Sequence, residues 1–184
     1  MGLRKPGKIK HQAKRLAEIL QAHEKFFSGE PGGVRADLTG ADLSRADLSG
    51  VNLSDAILKG ANLDQADLRR GKLVRADLSG AKLRKADLRN TDMTEALLPG
   101  ADLTGAQVSG VELFRCDLRD VIFRGANLRN TNFRESDVRG TKFAGADMGV
   151  AILRETDLTG ADLSEVDLTT TLMPKNYTAA TGKK

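Results

Sequence analysis

Tryptophan is absent from this chain, tyrosine occurs once, and aromatic residues make up 4% of it. So few rings exclude a globular core built on large aromatics. They also leave no platform on which the bases of a single-stranded nucleic acid could stack. Cysteine occurs once, at Cys116, so no disulfide can form within the chain and a cytoplasmic setting is the expectation. The two histidines, His11 and His23, both lie near the N-terminus. Beyond them there is no base to pair with a nucleophile and no phosphate-cradling glycine loop, which argues against an enzyme. No apolar run is long enough to span a bilayer, and no signal-peptide core follows the basic N-terminus, so a membrane partner is not expected.

What the chain has is a repeat. Leucine, or a close apolar substitute, falls on every fifth residue from Leu38 to Met173, through twenty-eight units spanning residues 36–175. An internal repeat of this length dictates the architecture. In an α-helix, five residues turn about 500°, so the leucines would drift around the surface. In a flat strand, odd spacing would send them to alternate faces. The chain must therefore bend once per unit.

With the leucine position called i, position i−2 is always small: sixteen Ala, five Thr, four Val, and Gly71, Cys116 and Ser136. Position i−1 is Asp or Asn in eighteen units. Small-polar-large is strand alternation, with i−2 and i inward and i−1 outward. Positions i+1 and i+2 must then turn a corner, and eleven units carry Gly at i+2. Stacked three-residue sides and two-residue corners would close a leucine core that no single coil could bury alone. Cys116 sits at an inward position and reads as a small buried apolar residue.

The Ala-(Asp/Asn)-Leu-x-x unit resembles the pentapeptide-repeat proteins. The resemblance covers about three quarters of the chain. It implies an all-β solenoid, specifically a right-handed quadrilateral β-helix with twenty residues per coil. Periodicity alone does not choose four sides over three. Twenty-eight units would then make about seven coils, roughly 34 Å long at a strand spacing near 4.8 Å.

An open solenoid end needs a lid. Residues 1–34 form a basic N-terminal segment. Within it Ile9, Ala13, Leu16, Leu20, His23 and Phe27 recur at helical spacing, which predicts a capping helix over about 10–27. The β-helix is expected over 35–175, and 176–184 is a short polar tail with no helical period. A homodimer through the C-terminal end is expected, since relatives often pair there.

Outward positions must carry any function. At i−1, Ile57, Leu97, Ile122, Ile152 and Leu172 are apolar and form the candidate interaction surface. No cofactor or metal is expected: Asp47, Asp67 and Asp87 would stand about 4.8 Å apart on a flat side, without a converging oxygen cage. Charge separates the remaining readings. Residues 1–35 hold eight Lys/Arg against three Glu, whereas the repeats hold nineteen against twenty-two Asp/Glu. The basic segment carries no recognition motif, so nucleic acid is not the expected partner. Some pentapeptide-repeat proteins imitate duplex DNA and bind DNA gyrase or related topoisomerases, which can give quinolone resistance. Duplex mimicry demands on the order of twenty negative charges over this length. By presumed side the units net −3, +1, −1 and 0. A non-catalytic rigid scaffold for an unknown protein partner is therefore the first expectation, and a gyrase-directed DNA mimic the alternative.

Overall fold

The computed structural model describes residues 2–178. Parallel bridges join i−1 residues that lie twenty apart: Asp37 with Ile57, Asp42 with Asn62, Asp47 with Asp67 and Asn52 with Lys72 open four such columns. Four five-residue units therefore complete one circuit. The repeats form a four-sided β-helix solenoid.

Backbone accounting explains why this circuit holds. The Ala41 amide closes a turn on the Leu38 carbonyl at 3.0 Å. The amides of Leu43 and Arg45 donate to Asn62 and Asp64 in the next coil at 2.7 and 2.8 Å, and the Asn62 amide donates back to Ala41 at 2.9 Å. Positions i−2, i−1, i and i+2 are thus satisfied by the backbone, and the amide at i+1 is left over. The side chain at i−1 takes it. Asp42 Oδ1 accepts the Ser44 amide at 3.1 Å, and Asp102 Oδ1 accepts that of Thr104 at 2.9 Å. All eighteen Asp and Asn residues at i−1 make this bond. Each is an Asx turn that fixes its corner. At i+2 the backbone is left-handed, with φ of 64° at Gly40 and 56° at Arg70, as a type II turn requires.

Inside, the i and i−2 side chains from Ala36 to Leu153 are buried, apart from the half-buried Val51. Where Thr or Ser replaces Ala at i−2, its hydroxyl donates to a carbonyl one coil back, as Thr91 Oγ1 does to Leu68 at 2.9 Å and Thr131 Oγ1 to Val108 at 2.8 Å; Thr156 alone donates within its own coil, to Leu153 at 2.6 Å. Phe123 and Phe143 stack at 5.6 Å between centroids, and Phe133 meets both edge-on at 6.0 and 5.8 Å. The three rings fill one stretch of the tube, with Phe133 across from the other two.

The N-terminal segment departs from the sequence expectation. The helix, α1, is Leu16–Ser28 and does not start at residue 10. Lys10–His11 (β1) and Lys14–Arg15 (β2) form an antiparallel hairpin, turned by Gln12 and Ala13 at φ 47° and 67°. The hairpin brings the buried Ile9 and Leu16 together through a backbone bond of 2.8 Å. Glu18 then closes a capping box with the Arg15 amide at 3.1 Å. Ala13, expected on the inner stripe, is exposed in this turn. Phe27 is 42% exposed and packs edge-on against His23 at 5.1 Å instead of entering the coil. Leu16 and His23 are buried against the first coil, with Ile19 and Leu20 half-buried beside them. Arg4 bridges Ala46 in parallel, and so adds one rung above the first coil.

At the other end, Leu158, Leu163, Leu168 and Met173 are half-buried. Pro174 and Tyr177 border a hollow of about 420 Å³ with Leu158 and Leu163. Of the expected tail, residues 179–184 lie outside the described residues. No helix among the described residues is long and apolar enough to cross a membrane.

Candidate interaction surface

With the core closed, chemistry rests on the corners and on the outward i−1 columns. Charge there is paired along the stack. On one edge Asp55, Arg75, Glu95, Arg115 and Glu135 alternate in sign, one per coil. Arg75 binds Asp55 with two bonds of 2.7 and 2.8 Å, and Arg115 binds Glu135 at 2.7 Å. A second pattern runs within units: Arg69, Arg89, Arg119 and Arg139 fold back onto Asp67, Asp87, Asp117 and Asp137 at 2.5–2.6 Å. The Arg119 hydrogen bond holds the Asp117 carboxyl below its ordinary range. Hydroxyls do the same where they follow: the Thr159 hydroxyl and amide lower Asp157.

The five apolar i−1 residues do not share a side. Ile57 and Leu97 flank Asp77 on the first side, Ile122 stands on the second, and Ile152 pairs with Leu172 on the fourth. Leu97 and Leu172 are exposed, and the three isoleucines are half-buried. Only Ile152 and Leu172 are brought together. The turn chemistry accounts for two of the five. Leu97 precedes Pro99 and Leu172 precedes Pro174 by two residues, and proline has no amide hydrogen for an Asp to satisfy. Ile57, Ile122 and Ile152 precede Lys59, Arg124 and Arg154, which keep theirs, so that explanation does not extend to them.

Sequence reasoning missed the Asx role of the i−1 residues. The signal was present in the two Leu-x-Pro units, which are the only coil units with proline at i+1.

Two reactive side chains are accounted for inside the fold. The Cys116 thiol donates to the Met93 carbonyl at 3.0 Å, in the slot that Thr91 and Thr131 use elsewhere, and burial pushes its pKa up to about 12. His23 is fully buried, and its Nδ1 accepts the Ala36 amide at 3.0 Å. Burial lowers its pKa, while the Ser54 carbonyl and Asp55 act in the opposite sense. Among the described residues no group of His, Cys, Asp and Glu is assembled to hold a metal ion.

The family model for pentapeptide repeats matches residues 34–70, 72–110, 112–149 and 135–169, in eight copies. The chain belongs to the pentapeptide-repeat family. Among solved structures it is similar to QnrB1, a plasmid-mediated fluoroquinolone resistance protein, in a trypsin-treated form. That match has a TM-score of 0.52 and 23% identity, over 79% of this chain and 82% of the other. The likeness to QnrB1 is one of fold. A pentapeptide-repeat protein of the Arabidopsis thaliana thylakoid lumen matches at 32% identity over 55% of this chain and 68% of its own, with a TM-score of 0.46. HetL of the cyanobacterium Nostoc sp., involved in heterocyst differentiation regulation, matches at 27% identity over 78% and 87%, with a TM-score of 0.34. No curated protein is similar enough to count as a match.

Proposed function

We propose that this chain is a non-catalytic, rigid scaffold for protein–protein interaction. In this reading a right-handed coil of about seven turns spans residues 35–175. Residues 1–34 supply its lid, with α1 over the first coil, and a short tail runs from 176. The observation that carries the proposal is the division of labour within each unit. Positions i−2 and i are committed to the core and the i−1 Asp or Asn to the turn. That leaves i+1 free to vary, and i+2 open to any residue that accepts its left-handed φ, which is how repeat proteins build binding surfaces. The half-buried Leu158, Leu163 and Met173 support a second copy as one partner at the C-terminal end. The single, inert Cys116 supports a cytoplasmic setting, although one relative comes from a thylakoid lumen.

Duplex mimicry is the less supported reading. The aspartates that would stand for phosphates are engaged as turn caps, and many of them are paired with arginine as well. Crosslinking with mass spectrometry in native cytosol tests the scaffold directly. Heterologous crosslinks mapping to i+1 and i+2 residues are the expected result. Recovery of the chain alone, crosslinked to nothing, would remove the reading. A supercoiling assay with fluoroquinolone separates the alternative, and protection of gyrase would restore it.

A further inference from the structure

At one corner of the coil an unpaired arginine stands between two paired ones. Ser49, Gly50, Arg69, Arg70, Arg89 and Asn90 line a surface hollow of about 470 Å³. Arg69 and Arg89 each give Nε and one Nη2 hydrogen to a carboxylate, Asp67 and Asp87, at 2.9 and 2.6 Å. A guanidinium has five N–H groups, so three on each arginine are left over. Arg70 is different. Its column neighbours one coil away are Gly50 and Asn90, neither of them charged. Arg75 and Arg115, at the equivalent position one corner on, each face a carboxylate. Among the described residues, no hydrogen bond or ion pair holds the Arg70 side chain. Above it, Gly50 presents no side chain, and a Cβ placed there would meet nothing within 4 Å.

We propose that this hollow binds the carboxylate side chains of an acidic segment of a partner protein, with Arg70 as the principal contact. The inference rests on the scaffold reading and names one of its docking points. Paired arginines hold the rim rigid, and the unpaired one supplies the uncompensated charge, so a carboxylate entering between them meets preorganised, forked donors. Bare Gly50 leaves room for the partner's backbone. The chemistry disfavours a nucleic acid: no aromatic ring lines the hollow, so a base entering it has nothing to stack on.

The test uses the full chain and a fluorescein-labelled peptide of alternating Glu and Gly, followed by fluorescence anisotropy. Binding is expected to saturate and to weaken as salt rises from about 50 to about 300 mM. Arg70→Gly should lower affinity by about tenfold or more, and Arg70→Glu should abolish binding. Glycine suits the left-handed backbone at position 70, so this variant keeps its fold, as circular dichroism and the thermal midpoint will verify. Arg75→Gly, which removes an arginine already paired to Asp55, should leave binding unchanged. Absence of peptide binding, or equal binding by Arg70→Gly, overturns the proposal. So does tighter, Arg70-dependent binding of an oligothymidylate of matched charge. Crosslinks to a partner at another corner would leave the scaffold standing and remove only this site.

Discussion

Leu97 stands where aspartate is the rule, and Pro99, two residues on, lacks the amide hydrogen that aspartate would accept. The pair is a single substitution in physical terms: the donor and its acceptor have been removed together. Deleting both partners of a hydrogen bond costs little, whereas deleting one leaves the other exposed to penalty. Leu172 and Pro174 repeat the arrangement.

A double-mutant cycle measures this coupling. Leu97→Asp alone should change stability by no more than about 0.5 kcal/mol, because its carboxylate finds no amide at 99. Combined with Pro99→Ser, the Asx turn is completed, and the coupling should be about 0.5–1 kcal/mol in favour of the double variant. Urea denaturation gives the three differences, and strict additivity would contradict the assignment.

His23 makes the contact of α1 with Ala36 sensitive to acid. Its folded pKa is lowered from 6.5, chiefly by burial, and its Nδ1 must stay unprotonated to accept the Ala36 amide. The unfolded chain therefore takes up a proton that the folded chain resists. Stability is whole above the unfolded pKa and declines as pH falls below it. Aspartates lowered by their turn bonds, such as Asp157 and Asp162, add a second loss as pH falls below 3.8. The urea midpoint should fall between about pH 8 and about pH 5.5 in the parent and much less in His23→Gln. Equal slopes would refute the role given to His23.

The Cys116 thiol should be silent in the folded protein. Its pKa near 12 and its burial leave almost no accessible thiolate at neutral pH. Ellman's reagent should label it only on unfolding, and Cys116→Thr, which keeps the bond to the Met93 carbonyl, should fold normally. Rapid labelling of native protein would show that the side chain is not where the register puts it.

Gly71 is the one i−2 residue without a side chain, although Ala is the commonest choice there. A Cβ at 71 would meet the Leu68 and Val51 carbonyl oxygens at 2.9 and 3.1 Å. Gly71→Ala, a change towards the consensus, should therefore destabilise by about 1–3 kcal/mol. A gain in thermal midpoint would mean that the backbone relaxes there at no cost.

The coil was legible because its period is incompatible with both regular elements. Four sides were not, since a five-residue unit closes equally well on paper with three. The resemblance supplied that number, and the bridges between residues twenty apart agree with it. The hairpin before α1 was hidden by arithmetic: Ile9 and Leu16 are seven apart, which suits a helix as well as the two arms of a tight turn. Arg4 carries no pattern at all, and its rung above Ala46 follows only from the first coil having amides to satisfy. Of the five apolar candidates, the sequence marked where the rule is broken, and their spread over three sides follows from twenty residues per coil, a number that periodicity alone does not supply.

Spin labels test the register most directly. In a Cys116→Ser background, labels at Asp87 and Gln107, which bridge one another, should lie within about 10 Å and broaden each other's spectra strongly. Labels at Asp87 and Leu97, closer in sequence but on opposite sides of the tube, should not. Broadening in the second pair and none in the first would contradict the four-sided coil on which the proposed scaffold, its lid and its arginine corner all depend.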